Sequence, residues 1–161
     1  MSTIYVDNLQ PNLGSGVLIP GHVVQTVYTE TSTPVTLSPS SGWVTLMSLQ
    51  FTAVNPNNKL LISVFSGNLR KTTGAGTSSW FSTQILVNGS NSSEIEGGAL
   101  GYPETFSDQR YTLNLTGIDA SNLTAGTNTV AFQGQVGSTG SDWVFCYQDH
   151  TSRLIVQEIA Q

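Results

Sequence analysis

The chain has 161 residues, a formal net charge of −5 and one cysteine. That length suits one domain with its own core, and a single cysteine excludes an intrachain disulfide or a thiolate metal cluster. Five Lys and Arg residues set against ten Asp and Glu argue against a nucleic-acid backbone as partner, and no apolar run approaches the roughly 18 residues of a membrane span, so no membrane insertion is expected.

Charged residues make up 9% of the chain, against about 25% in ordinary domains; Ser, Thr, Asn, Gln and Gly take their place. Val, Ile, Leu and aromatic residues recur throughout, which favours a folded β protein over disorder. In chain order, residues 1–21, MSTIYVDNLQPNLGSGVLIPG, lack the cationic run, apolar core and cleavage site of a secretory signal, so they are expected to stay in the mature protein. Ile4, Val6 and Leu9, then Val17 and Ile19, mark two short β-like pieces around a turn-rich link. Two strands alone are marginal in water, so these residues are expected to form an assembly segment that packs on something larger.

From His22 onward the apolar period is two, and no window carries a helical stripe. Strands are predicted at His22–Thr29, Pro34–Ser38, Trp43–Val54, Lys59–Arg70, Ser79–Gly89, Arg110–Gly117, Asn128–Gly137, Asp142–Asp149 and Ser152–Ala160. Tyr111, Leu113 and Leu115 alternate with Thr112, Asn114 and Thr116, giving one buried face. Short turns rich in Asn, Gly and Asp predict that consecutive strands mostly pair antiparallel, with a long loop from Ser90 to Gln109 crossing between sheets. The fold expected for residues 22–161 is an all-β antiparallel jelly-roll sandwich. An immunoglobulin-like sandwich is the alternative, without its inter-sheet disulfide.

Tyr102, Glu104, Asp108 and Arg110 lie in or beside the predicted long loop, where binding concentrates on a rigid sandwich. They are the candidate ligand- or receptor-binding residues. Glu94 and Glu96 fall on one face if extended and offer a carboxylate pair for glycoside hydrolysis; two solvated acids in a Gly/Ser-rich loop explain them more simply. Asp149, His150 and Ser152 hold triad residue types at a spacing that a polar hairpin turn accounts for. Arg70 and Lys71 read as a solvated strand edge, Trp43, Trp80 and Trp143 as core or interface residues, Cys146 as a buried inert thiol, and His22 as an isolated histidine rather than a metal ligand. No catalytic residue, metal or cofactor is expected.

The opening STIYVDNLQPNLGSGVLIPGHVVQTV resembles the N-terminal region of small virion structural and tail-fibre proteins of tailed bacteriophages, particularly those of cyanobacteria. NPNNKLLISV and the closing SRLIVQEIA resemble an internal strand and the final strand of the jelly rolls that follow such leaders. Tyr5 departs from the pattern, where the family often has Lys or another charge. The resemblance implies a homotrimeric, tumour necrosis factor-like jelly roll on a virion assembled in the host cytoplasm. Its N-terminal segment would bind other virion proteins, and its loops a host-surface glycan. A head-decoration or tail-connector protein that binds only other virion proteins is the alternative.

Overall fold

The structure, a computed structural model, describes residues 21–72, 79–96, 100–102, 109–119, 123–137 and 141–161. The leader residues Ile4, Val6, Leu9, Val17 and Ile19 lie outside them, as do Glu104 and Asp108. The described residues are almost entirely strand: β1 (Val23–Thr31), β2 (Val35–Leu37), β3 (Val44–Thr52), β4 (Lys59–Phe65), β5 (Leu69–Lys71), β6 (Ser79–Val87), β7 (Ser90–Glu96), β8 (Leu100–Tyr102), β9 (Gln109–Tyr111), β10 (Asn114–Asp119), β11 (Thr127–Val136), β12 (Trp143–Phe145) and β13 (Ser152–Ile159). None of their helical turns is long and apolar enough to cross a membrane.

Three antiparallel sheets run in the orders β1-β13-β4-β10, β2-β12-β5-β9 and β3-β11-β6-β7, with β8 also on β6. The first two repeat one order, because β1 continues into β2, β4 into β5, β9 into β10 and β12 into β13. They are one four-stranded layer bent across its middle. Joining each bent strand, and β7 with β8, gives eight strands ordered 1-8-3-6 and 2-7-4-5, the two-sheet jelly-roll arrangement.

Alternation builds the core between the layers. Leu60, Ile62 and Val64 of β4 and Leu154 and Val156 of β13 point in from the bent layer, facing Phe81 and Ile85 of β6 and Val130 and Phe132 of β11. Trp143 reaches Phe81 at 5.5 Å between ring centroids, and Phe145 reaches Phe132 at 6.0 Å. A bulge in β3 lets neighbouring Leu46 and Met47 both turn inward, where β11 shifts register between Phe132 and Gln133.

Several expectations are corrected. Where Ser90–Gln109 is described it is strand rather than loop: Ser90–Glu96 and Leu100–Tyr102 pair along β6, joined to it by Asn88-Gly89 with φ of 51° and 81°, the positive-φ pair of a tight hairpin. That hairpin is the exception among the described strands, since most consecutive elements sit in different sheets or follow one another along a bent strand. The predicted strands Lys59–Arg70, Arg110–Gly117 and Asp142–Asp149 are each interrupted at the bend. Asp149–Ser152 is not a hairpin turn either, because β12 and β13 run the same way through the corner. Of the tryptophans expected in the core or at an interface, Trp143 is fully buried in the core, whereas Trp43 and Trp80 are each 42% exposed and stand outside it.

Candidate functional site

Four short connections cross the bend, and the one between β12 and β13 is the longest, with Gln148–Thr151 exposed. Cys146, Gln148 and Asp149 all have left-handed φ, at 55°, 58° and 56°. Non-glycine residues visit that region rarely and cost about 1 kcal/mol or more each. The neighbours hold the corner in place: the Tyr147 amide donates to the Asn68 carbonyl at 3.0 Å, and the Gly67 amide donates to Ser152 Oγ at 3.1 Å. Gly67 has no side chain for a physical reason, since a Cβ there would lie 2.4 Å from the Thr151 carbonyl oxygen. Cys146 Sγ lies 3.1 Å from Ser152 Oγ and 3.5 Å from the Thr31 carbonyl oxygen. Burial pushes the thiol pKa up, only partly offset by the bonds with Ser152, in keeping with an inert cysteine.

Tyr147 gathers two cations on this corner. Arg70 on β5 and Arg110 on β9 are directly opposite in the ladder. Their guanidinium carbons lie 4.3 Å and 5.3 Å from the Tyr147 ring centroid, and Arg110 Nη1 donates to Gln148 Oε1 at 3.0 Å. Arg70 makes a further interaction of its own. The exposed Arg110 therefore belongs to a cluster, while Tyr102 ends β8 opposite Ser79 on the other layer. Arg70, Tyr147 and Gln148 were missed, because they lie in two segments far in sequence from each other and from Arg110. The one available signal was two arginines, each beside an aromatic or a second cation, in a chain so poor in charge.

Neighbouring residues depart from expectation. β5 is an interior strand of its sheet, so Arg70 and Lys71 do not form a solvated edge; Lys71 is only 2% exposed, beside Trp143. Glu96 lies opposite Gln84 within the paired part of β7, so the Glu94–Glu96 segment is a strand and not a loop. No group of three or more His, Cys, Asp or Glu gathers among the described residues.

On the outer face of the first sheet, a cleft of about 470 Å³ is lined by Phe65, Ser66, Gly67, Thr151, Arg153 and Ile155. A second of about 270 Å³ adjoins it at Arg153 and Ile155 and is bounded by Thr26 and Tyr28. Tyr28, Phe65 and Ile118 are 62%, 45% and 48% exposed on this face. Arg153 lies over the Tyr28 ring and pairs with Glu30.

No protein-family model and no curated protein matches the chain. Solved structures match in fold. The T13 particle of infectious bursal disease virus aligns over 98% of this chain and 40% of its own, at 12% identity and a TM-score of 0.50. Dimeric latent PorU from Porphyromonas gingivalis aligns over 92% of this chain and 14% of its own, at 13% identity and a TM-score of 0.50. The chain thus spans well under half the length of either. A looser likeness, at 14% identity and a TM-score of 0.39 over 91% of this chain and 89% of that one, is to the sugar-binding C-terminal domain of EclA. At such identities the shared property is the β-sandwich architecture.

Proposed function

We propose that the chain is a non-enzymatic structural protein of a bacteriophage particle, a trimeric fibre or fibre-tip component. Residues 1–21 attach it to the particle or to sister chains, and the jelly roll faces the host surface. The observation that carries this reading is the eight-stranded jelly-roll order. It is supported by the fold shared with a virus-particle structure and by the phage-like leader. Multiple copies convert weak glycan contacts into avidity. The test is incorporation: the protein is expected in purified virions, and deletion of residues 2–21 is expected to remove it. Unchanged incorporation of the truncated chain defeats the anchoring role.

One observation favours the architectural reading, in which the protein decorates the head or connects tail parts and binds only virion proteins. The outer face of the first sheet exposes Tyr28, Phe65 and Ile118 along one surface, the kind of apolar patch that marks association. Binding of the purified protein to host cells or their lipopolysaccharide separates the two readings. No binding, with that surface covered by a virion neighbour, favours architecture.

A further inference from the structure

Trp80 stands where the sheet around it is bare. On β6 it points away from the core, since Phe81, Thr83, Ile85 and Val87 take the inward positions. Its neighbour on β8 is Gly101, directly opposite in the ladder, and its neighbour on β11 is Gly137, whose amide donates to the Trp80 carbonyl at 2.9 Å. A Cβ at Gly137 would fall 2.4 Å from Trp80 Nε1, 2.5 Å from Cε2 and 2.8 Å from Cδ1. An approach in the ring plane would leave both carbons much farther off than the nitrogen, so that point lies over the ring face. The indole therefore lies flat on the backbone at Gly137, and its 42% exposure comes from the opposite face and the ring edge.

Trp43 belongs to the same outer face of the β3-β11-β6-β7 sheet. Thr45 pairs with Gln133 and Val44 with Gly134; one step further in this register Trp43 falls opposite Gln135, and it too is 42% exposed. Two strands across and two residues along, the tryptophan Cα atoms are about 12 Å apart. Neutral groups lie between them. Gln135 is directly opposite Ser82, and neither side chain has a hydrogen-bond partner among the described residues. In the next row Gln84 Nε2 donates to Gln133 Oε1 at 2.6 Å and Gln133 Nε2 donates to Thr45 Oγ1 at 3.0 Å. That chain fixes the amides and leaves Gln84 Oε1 to accept and Thr45 Oγ1 to donate. None of these positions carries a charge.

We infer that Trp43 and Trp80, with Gln135 and Ser82 between them, form a platform for a neutral oligosaccharide. A pyranose ring presents C–H groups on its face, which the electron-rich face of an indole attracts, and hydroxyls at its rim, which amide and hydroxyl side chains satisfy. The two indoles are farther apart than one sugar ring is wide, so they hold separate units of one chain. An apolar protein partner is the poorer match, because it would bury Gln135 and Ser82 without partners. The inference rests on the glycan-presenting reading above and names the ligand class and the face that takes it.

Calorimetric titration of the full chain with maltohexaose, cellohexaose and mannohexaose tests this, with tryptophan emission as a second readout. Binding of at least one hexasaccharide is expected, with glucose about tenfold weaker or more because it spans one indole only. Raising salt to about 1 M should leave the affinity within about twofold, since no charge takes part. Trp43→Ala and Trp80→Ala should each weaken binding by about fivefold or more. Trp80→Ala also uncovers Gly137, so its thermal midpoint is read alongside; Trp43 stands outside the core, which keeps its variant informative whatever Trp80→Ala does to folding. Tyr28→Ser, which removes an exposed aromatic from the other layer, should leave binding within about twofold. Silence of all three hexasaccharides overturns the inference, as does equal binding by Trp43→Ala. Silence together with a shift of Trp43→Ala toward a smaller species in sedimentation overturns it in favour of a contact between chains. Attachment of particles carrying Trp43→Ala is read separately. If the purified chain binds sugar and these particles attach normally, the glycan-presenting role falls while the platform stands.

Discussion

Glu158, on the inward side of β13, has no exposed surface, and its carboxylate is met by four donors. The amides of Val54 and Asn55 donate at 2.9 Å each, Asn58 Nδ2 at 2.6 Å, and Gln25 Nε2 also donates to it. Burial alone pushes the carboxyl pKa up, but these four bonds outweigh it and hold the pKa below the usual range. Because the folded-state value is the lower one, Glu158 contributes stability above its unfolded pKa of about 4.3. That contribution is lost as pH falls through the folded value. Glu158→Gln turns an amide toward backbone donors and is expected to cost about 2–4 kcal/mol at neutral pH. Urea midpoints at pH 7 and pH 3 check this: the gap between wild type and variant should narrow in acid, and a constant gap contradicts the role. The burial of Cys146 was legible from its aromatic surroundings in WVFCYQ. The anchoring role of Glu158 was not, since its partners lie about a hundred residues away in sequence.

Among elements, the crossing turns are tied by asparagine. Asn128, fully buried at the start of β11, accepts from the Thr124 amide at 2.8 Å and from Asn88 Nδ2 at 2.9 Å. It donates to the carbonyls of Thr124 at 3.0 Å and Gly126 at 2.9 Å. One side chain therefore fastens the turn before β11 to the β6–β7 hairpin. Asn128→Asp keeps the acceptor, loses both donated bonds and buries a charge; a loss of about 2–4 kcal/mol is expected, read from the thermal midpoint. At the bend, Gly67→Ala drives a Cβ into the Thr151 carbonyl. About 1–3 kcal/mol of destabilisation is expected, read from the thermal midpoint. The turn at Asn55–Asn58 was readable in sequence, where the Asn57 amide donates to Asn55 Oδ1, whereas the Asn88-Gly89 pair was read as the end of the strand Ser79–Gly89 and not as a hairpin turn. The bend was not readable, because the apolar alternation runs into it on both sides and only the interruption of four neighbouring strands together reveals it.

For the whole molecule, the pairing is non-local: residues 23–31 pair with residues 152–159, and β13 then pairs with β4. β13 thus lies inside its sheet, and a chain ending at residue 151 leaves β1 and β4 with no common neighbour. Such a chain is expected to show no cooperative unfolding by circular dichroism; retention of a cooperative transition contradicts this placement. Topology of this kind also folds slowly for its size. If the outer face of the first sheet associates with another copy, Tyr28→Ser with Phe65→Ser shifts sedimentation toward the monomer while the thermal midpoint of a monomeric unit changes little, since both side chains stand outside the core.

By itself the sequence determined the all-β class and the inward and outward faces of most strands, because each depends on neighbours within a few residues. It placed Arg110 beside a predicted loop whose described residues are strand. Only the tertiary structure decided the jelly-roll order, the bend, the burial of Lys71 and the meeting of Arg70, Arg110 and Tyr147. Strand alternation fixes which face a residue takes but not which distant strand it lies beside. That register is chosen by packing two whole layers at once.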